Sequence, residues 1–226
     1  MNEDIINSEN LRKIEMINNH ENLDKLVDDK DWFIRAAVAE HGYCLDKLVN
    51  DKHWKVRLEV AKQGYGLDIL INDKNHDIRA AVARQGYGLD KLVNDKSWLV
   101  RKTVAEQGYG LDKLIDDKYW IIRQIIAEHG YGLDRLINDS HPDVRIAVAK
   151  QGYGLDKLVN DEDWFVRAMI ARQGYGLDKL VDDENWFVRR SVAEQGYGLD
   201  KLVNDTSPEV RKVAEHELKK IKRLSV

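Results

Sequence analysis

A six-residue string, QGYGLD, returns along this chain at a fixed distance, and that regularity constrains the fold more than anything else in it. It begins at Gln63, Gln85, Gln107, Gln151, Gln173 and Gln195, with the variants HGYCLD at His41 and HGYGLD at His129, and every step is 22 residues or a multiple of 22. No insertion breaks the register between Leu23 and Arg211. A 22-residue unit cannot bury its own apolar face, so strict repetition at this period means stacked units that share one core. The expected fold is all-α: a right-handed α-solenoid of nine two-helix repeats, each a short α or 3₁₀ helix plus a longer α-helix, with helical end caps. A single solenoid domain over 1–226 is expected, with a cap helix in 1–19, repeats in 20–207, and the last repeat helix and cap in 208–226.

The unit from Leu89 to Gly110 shows the local logic. Leu89, Leu92 and Val93 fall at i, i+3 and i+4, one face of a short helix of about two turns. Ser97 has the chemistry of an N-cap, as do its equivalents Asp31, Asn75, Asp163, Asn185 and Ser207. The next position carries Trp98, with Pro142 and Pro208 as equivalents, and proline suits a first helical position. Val100, Val104 and Ala105 face the core, and Gly108 ends the helix in the left-handed conformation. At the ends, Ser8 is expected to cap a helix whose Leu11, Ile14 and Ile17 cover the first repeat. The last helix lacks the terminating glycine and is expected to run from Pro208 to about Arg223.

Hydrophobic residues make up 43% of the chain and charged residues 34%, enough apolar material for a core. The net charge of −4 gives no global attraction to nucleic acid or anionic membrane. Cys44, the one cysteine, excludes an internal disulfide and a Cys-rich metal or iron–sulfur site. No apolar run approaches the roughly 18 residues of a membrane span, and the acidic start MNED does not read as a signal peptide. A soluble protein in a reducing, cytoplasmic setting is expected, monomeric and without cofactor or metal.

Each repeat carries an aspartate after its first helix and an arginine in its second, in series that include Asp29, Asp95, Asp161 and Arg35, Arg101, Arg167. An arginine beside the core stripe needs a carboxylate for its planar donor fork. The equal spacing predicts an Asp–Arg ladder within or between repeats, a structural role rather than a catalytic one. Asp95, Val100 and Arg101 followed by Val104–Ala105 resemble the second half of HEAT repeats. The short period and Leu89–x–x–Leu92 resemble the leucine-rich repeat variant family, whose units pair a short 3₁₀ helix with an α-helix. The resemblance covers about residues 20–215 and implies architecture, together with the interaction-scaffold role common among HEAT-type proteins. The variant family includes a member with a Cys-ligated iron–sulfur cluster, which Cys44 alone cannot reproduce, so no cofactor is carried over.

Function in a solenoid belongs where the scaffold does not dictate the residue. On the second helix these positions are 33, 36, 37 and 40 plus multiples of 22, which share one helical face. Together they carry eight basic and eight acidic residues, whereas a nucleic-acid face should be basic. They also present apolar clusters: Phe33; Leu99 with Ile121 and Ile125; and Phe165 with Met169 and Phe187. The helix heads add Trp32, Trp54, Trp98, Trp120, Trp164 and Trp186, either as interface or as packing between repeats. Apolar anchors in a mixed-charge rim point to a non-catalytic scaffold or adaptor that binds a protein or peptide. The alternative is a nucleic-acid-binding protein similar to the HEAT-like alkylpurine DNA glycosylases, suggested by the tryptophans and the basic row Lys91, Lys113, Arg135 and Lys157. The tyrosine row from Tyr43 to Tyr197 is expected to pack between repeats with its hydroxyls at the rim. No histidine pair has HExxH-like spacing, and no phosphate loop or nucleophile elbow is present, so no enzyme is expected. His41 and His129, which replace the recurrent glutamine, are expected to hydrogen-bond backbone near the turn.

Overall fold

The computed structural model describes residues 8–224, so the MNED start and the first part of the expected cap segment lie outside the described residues. The fold is all-α: nineteen helices and no strand among the described residues, in the repeated two-helix pattern of an α-solenoid. None of these helices is long and apolar enough to cross a membrane. The chain divides into two compact bodies, 8–113 and 114–224 in described residues. In the first, the second helices Trp32–Glu40, Trp54–Lys62, His76–Arg84 and Trp98–Glu106 pack each on the next. In the other, Trp120–Glu128, Pro142–Lys150, Trp164–Arg172, Trp186–Glu194 and Pro208–Leu224 do the same.

The first helix is shorter than its apolar spacing suggests. Leu89–Leu92 is a single α-turn, closed by Leu92 N–H to the Gly88 carbonyl and Val93 N–H to the Leu89 carbonyl. A tighter i→i−3 bond from Asp95 N–H to the Leu92 carbonyl follows it. The chain leaves the helix there because the Asp95 carboxylate accepts the Ser97 N–H at 2.8 Å. That aspartate bend recurs at Asp29, Asp51, Asp73 and Asp139, and it fixes the extended residue before each second helix.

The bend also explains an N-cap result that differs from expectation. Asp31, Asn75, Asp163 and Asn185 accept the N–H two residues on, as caps should. Ser97 has the extended conformation but makes no side-chain cap bond, and the Ser207 hydroxyl donates to Glu209 instead. With the aspartate already setting the backbone, the cap side chain is optional, and His53 and Tyr119 occupy the same position. The other end follows the sequence closely. Gly108 sits at φ 70°, Gly108 N–H bonds the Ala105 carbonyl and Tyr109 N–H reaches back to Val104, a Schellman closure. The second glycine, Gly110, is held by proximity as well: a Cβ there would lie 2.6 Å from Cγ2 of Val93, just after the first helix of the same repeat.

Val100, Val104 and Ala105 are fully buried, as is the equivalent stripe of each neighbouring helix. The cap helix Ser8–Asn18 packs on Trp32–Glu40 and is itself a degenerate second helix, in register 22 residues earlier. Ile17 closes the core as expected, while Leu11 lies on the surface and Ile14 is half-buried. The last helix runs Pro208–Leu224.

Candidate functional site

The ladder and the variable strip separate cleanly. Within each body the ladder arginines that precede another repeat reach forward. Arg35 donates from Nε and Nη2 to the two carboxylate oxygens of Asp51 at 2.6 and 3.0 Å, while its Nη1 donates to the Asp29 carbonyl of its own repeat at 2.6 Å. The same fork joins Arg57 to Asp73, Arg79 to Asp95, Arg123 to Asp139, Arg145 to Asp161, Arg167 to Asp183 and Arg189 to Asp205. Arg101 repeats the backbone bond, Nη1 to the Asp95 carbonyl at 2.7 Å. The first aspartate, Asp29, receives Lys13 of the cap helix at 2.9 Å, from the position that an arginine holds in every repeat. The two readings of the ladder are therefore both realised: carboxylate to the next repeat, carbonyl within its own. Burial pushes the Asp51, Asp73, Asp95 and Asp139 carboxyls up, but the arginine fork and the backbone N–H outweigh it, and each ends below the usual aspartate range.

Other recurrent polar residues are also engaged by the scaffold. Gln63, Gln85 and Gln151 donate to the terminal carbonyl of the preceding second helix, at Glu40, Lys62 and Glu128. His41, in the glutamine position, places Nδ1 2.9 Å from the Ala37 carbonyl. In the basic row, Lys91 reaches Asn72, Arg135 reaches Asp116 and Lys157 reaches Asn138, each a side chain of the preceding repeat. The tyrosines stay about two-fifths exposed, and the Tyr43 hydroxyl donates to Asp24 at 3.0 Å. Among the described residues, no three His, Cys, Asp or Glu side chains gather as a metal would require.

The strip is narrower than the four-position face expected. Ala37, Ala81, Thr103, Ala147 and Ser191 are buried, because position 37 falls where neighbouring second helices approach. The Thr103 and Ser191 hydroxyls turn back to the Leu99 and Phe187 carbonyls of their own helices. Only bulky residues there, Ile125 and Met169 among them, keep some exposure. Position 33 remains open. Phe165 is 37% exposed, and Phe33, Leu99, Ile121 and Phe187 are half-buried, so none is sealed between helices.

The helix-head tryptophans combine ring contacts with solvent exposure. Trp98, Trp120, Trp164 and Trp186 are exposed. Trp32 stacks on His53 of the following repeat at 4.4 Å, and Trp120 stacks on His141 at 4.0 Å. In 114–224, Trp164 meets Phe165 at 5.6 Å and Phe187 at 5.4 Å, both edge-on, and Trp186 continues the row against Phe187. The Arg172 and Arg190 guanidinium groups lie 5.0 and 5.7 Å from the Phe187 centroid, and both pair with Glu194.

In 8–113 the strip opens into a groove of about 610 Å³. Phe33, Ala36, Ala37 and Glu40 form its middle, with Lys55, Leu58 and Glu59 on one side and Leu11, Ile14 and Asn18 of the cap helix on the other. Trp32, Trp54 and His41 complete the wall. Leu11, Ile14 and Asn18 stand 22 residues before Phe33, Ala36 and Glu40, so the groove is the variable strip spread over three helices. By sequence Leu11 and Ile14 are expected only to cover the first repeat; the 22-residue register, extended into the cap, places them on the groove wall. Compared with protein-family models and with curated protein sequences, the chain has no match.

Proposed function

We propose that this protein is a non-catalytic scaffold, related in kind to HEAT-like and leucine-rich-repeat-variant solenoids, which binds a protein or peptide through the variable strip of its second helices. One observation carries the reading. Each second helix buries its core positions completely, yet Phe165 at position 33 is more than a third exposed and Phe33, Leu99, Ile121 and Phe187 stay half-open. Exposed large apolar groups in a mixed-charge rim are the composition of interface anchors. The contacts of Lys91, Arg135 and Lys157 with the preceding repeat favour a protein partner over a nucleic acid, since those cations already have acceptors. A monomer in a reducing, cytoplasmic setting belongs to the same proposal, on the strength of one unpaired thiol, Cys44.

The test is the pair Phe165→Ala and Phe187→Ala. A random displayed-peptide library selected on the wild-type protein should include binders of the 114–224 strip that both variants lose, with the melting temperature nearly unchanged. Unfolding of both variants would make these core residues and sink the assignment.

A further inference from the structure

We propose that the groove of 8–113 receives a cationic side chain, lysine or arginine, from an otherwise apolar partner peptide, and that Lys55 occupies the cation's place in the free protein. This inference rests on the peptide-binding reading above and deepens it.

Lys55 stands at position 33, where Phe33, Leu99, Ile121, Phe165 and Phe187 are apolar. Its Nζ lies 4.4 Å from the Trp32 ring centroid and 5.9 Å from that of Trp54, over two indole faces that attract a cation through their quadrupoles. Among the described residues, no carboxylate lies within ion-pair distance of that ammonium. Glu40 lines the same groove, and its carboxylate has no hydrogen-bond or ion-pair partner among the described residues. The groove thus holds a cation with rings but no acid, and an acid with no cation.

The strip in 114–224 shows the same chemistry already closed. There Arg172 and Arg190 lie against Phe187, and Glu194 pairs with both, at 3.6 and 3.0 Å. A guanidinium or ammonium entering the groove of 8–113 would bring the same three ingredients together there: an aromatic face (indole here), a cation and the Glu40 carboxylate. The flanking aliphatic side chains of the same peptide would lie on Leu11, Ile14 and Leu58. Lys55, on a flexible stem, would swing out to solvent.

The experiment is selection of a random displayed-peptide library on the full-length protein, followed by synthesis of the enriched peptide with arginine and with neutral, near-isosteric citrulline. Enrichment of peptides carrying a lysine or arginine between apolar residues is expected, with the arginine form about threefold or more tighter than its citrulline twin. Lys55→Ala should widen that ratio by removing the competitor, and Glu40→Gln should narrow it. Trp54→Leu should abolish the preference while the circular dichroism spectrum stays that of the wild type. Peptides enriched without charge bias, or twins bound equally by wild type and Lys55→Ala, would overturn this inference and leave the scaffold reading standing. No enrichment at all from a folded protein would overturn both. A concentration-dependent dimer lost on Trp54→Leu would overturn the inference by assigning the groove to a second copy.

Discussion

In 8–113 the variable strip is a groove floored by Ala36 and Ala37, whereas in 114–224 the same positions on Trp164–Arg172 and Trp186–Glu194 carry Ala168, Met169, Arg190 and Ser191 under a row of edge-packed aromatics. The backbone register, the ladder and the glycine closures are common to both bodies. What differs is the size and charge of a few residues on one side of the second helices. One architecture therefore supports two surfaces, and the difference between them is chemical rather than topological.

That contrast predicts first that damage to the shared framework costs the same in either body. Arg57→Ala and Arg145→Ala each strand a nearly buried aspartate, Asp73 or Asp161, without its donor fork. Each should lower unfolding free energy by about 3 kcal/mol or more in urea melts. A much smaller loss in one body would break the equivalence.

A second pair exchanges the surfaces. Ala37→Met should fill the groove and abolish peptide capture there, at a stability change of about 1 kcal/mol. Met169→Ala should open a cleft in the other strip, at a similar cost because Met169 is only half-buried. Titration with the enriched peptides checks both, and binding that survives Ala37→Met would show that the groove is not the site.

Acid should affect the bodies in common through the ladder and unequally through one histidine. Asp51, Asp73 and Asp95 in one body and Asp139 and Asp205 in the other have folded-state pKa values below their unfolded ones, so their stabilisation is complete above the ordinary aspartate range. It is lost as pH falls through the lowered folded values, below about 4. His53 lies in 8–113, and its counterpart in 114–224, His141, differs in accepting the Asp143 N–H at Nδ1. Burial first, then the nearby cations Lys55, Arg35 and Arg57, depress its pKa against the pull of Asp51, and its Nδ1 is buried without a hydrogen-bond partner. The folded state favours the neutral ring, so stability should already decline as pH drops below about 6.5. His53→Asn, which supplies the cap that Asn75 and Asn185 use, should remove that early decline and add about 1 kcal/mol. Melting temperature against pH for wild type and variant measures this smallest effect. A decline unchanged by the substitution would detach it from His53.

Much of the fold was legible because a repeat reports its own rules several times over. Gly108, Pro142 and the stripe through Val100, Val104 and Ala105 all behave as their chemistry dictates. The direction of the ladder was not legible: an aspartate six residues before each arginine and another sixteen after recur at the same period, and only geometry separates them. The Ser97 cap misled because the Asp95 bend does its work, a tertiary detail that composition at one position does not reveal. Position 37 misled for a related reason. Helical spacing says which side of a helix a residue occupies, not how closely the neighbouring helix approaches it, and Ala81 and Ser191 lie at that approach. Of the candidate site, the exposure of the apolar residues at position 33 was legible and the groove was not, since its far wall comes from a cap helix without the repeat's signature string.

The forward reach of these arginines bears on how such a chain is made and how it can lengthen. As synthesis delivers residues in order, every newly emerged Asp51 or Asp73 meets a guanidinium, from Arg35 or Arg57, already in place behind it, so assembly can follow translation like a closing zip. Because the repeat junctions within each body are stitched by the same bond sixteen residues ahead, duplicating or deleting a whole 22-residue block inside a body leaves those seams chemically intact. Genomic copying can then alter the reach of the array without inventing a new joint.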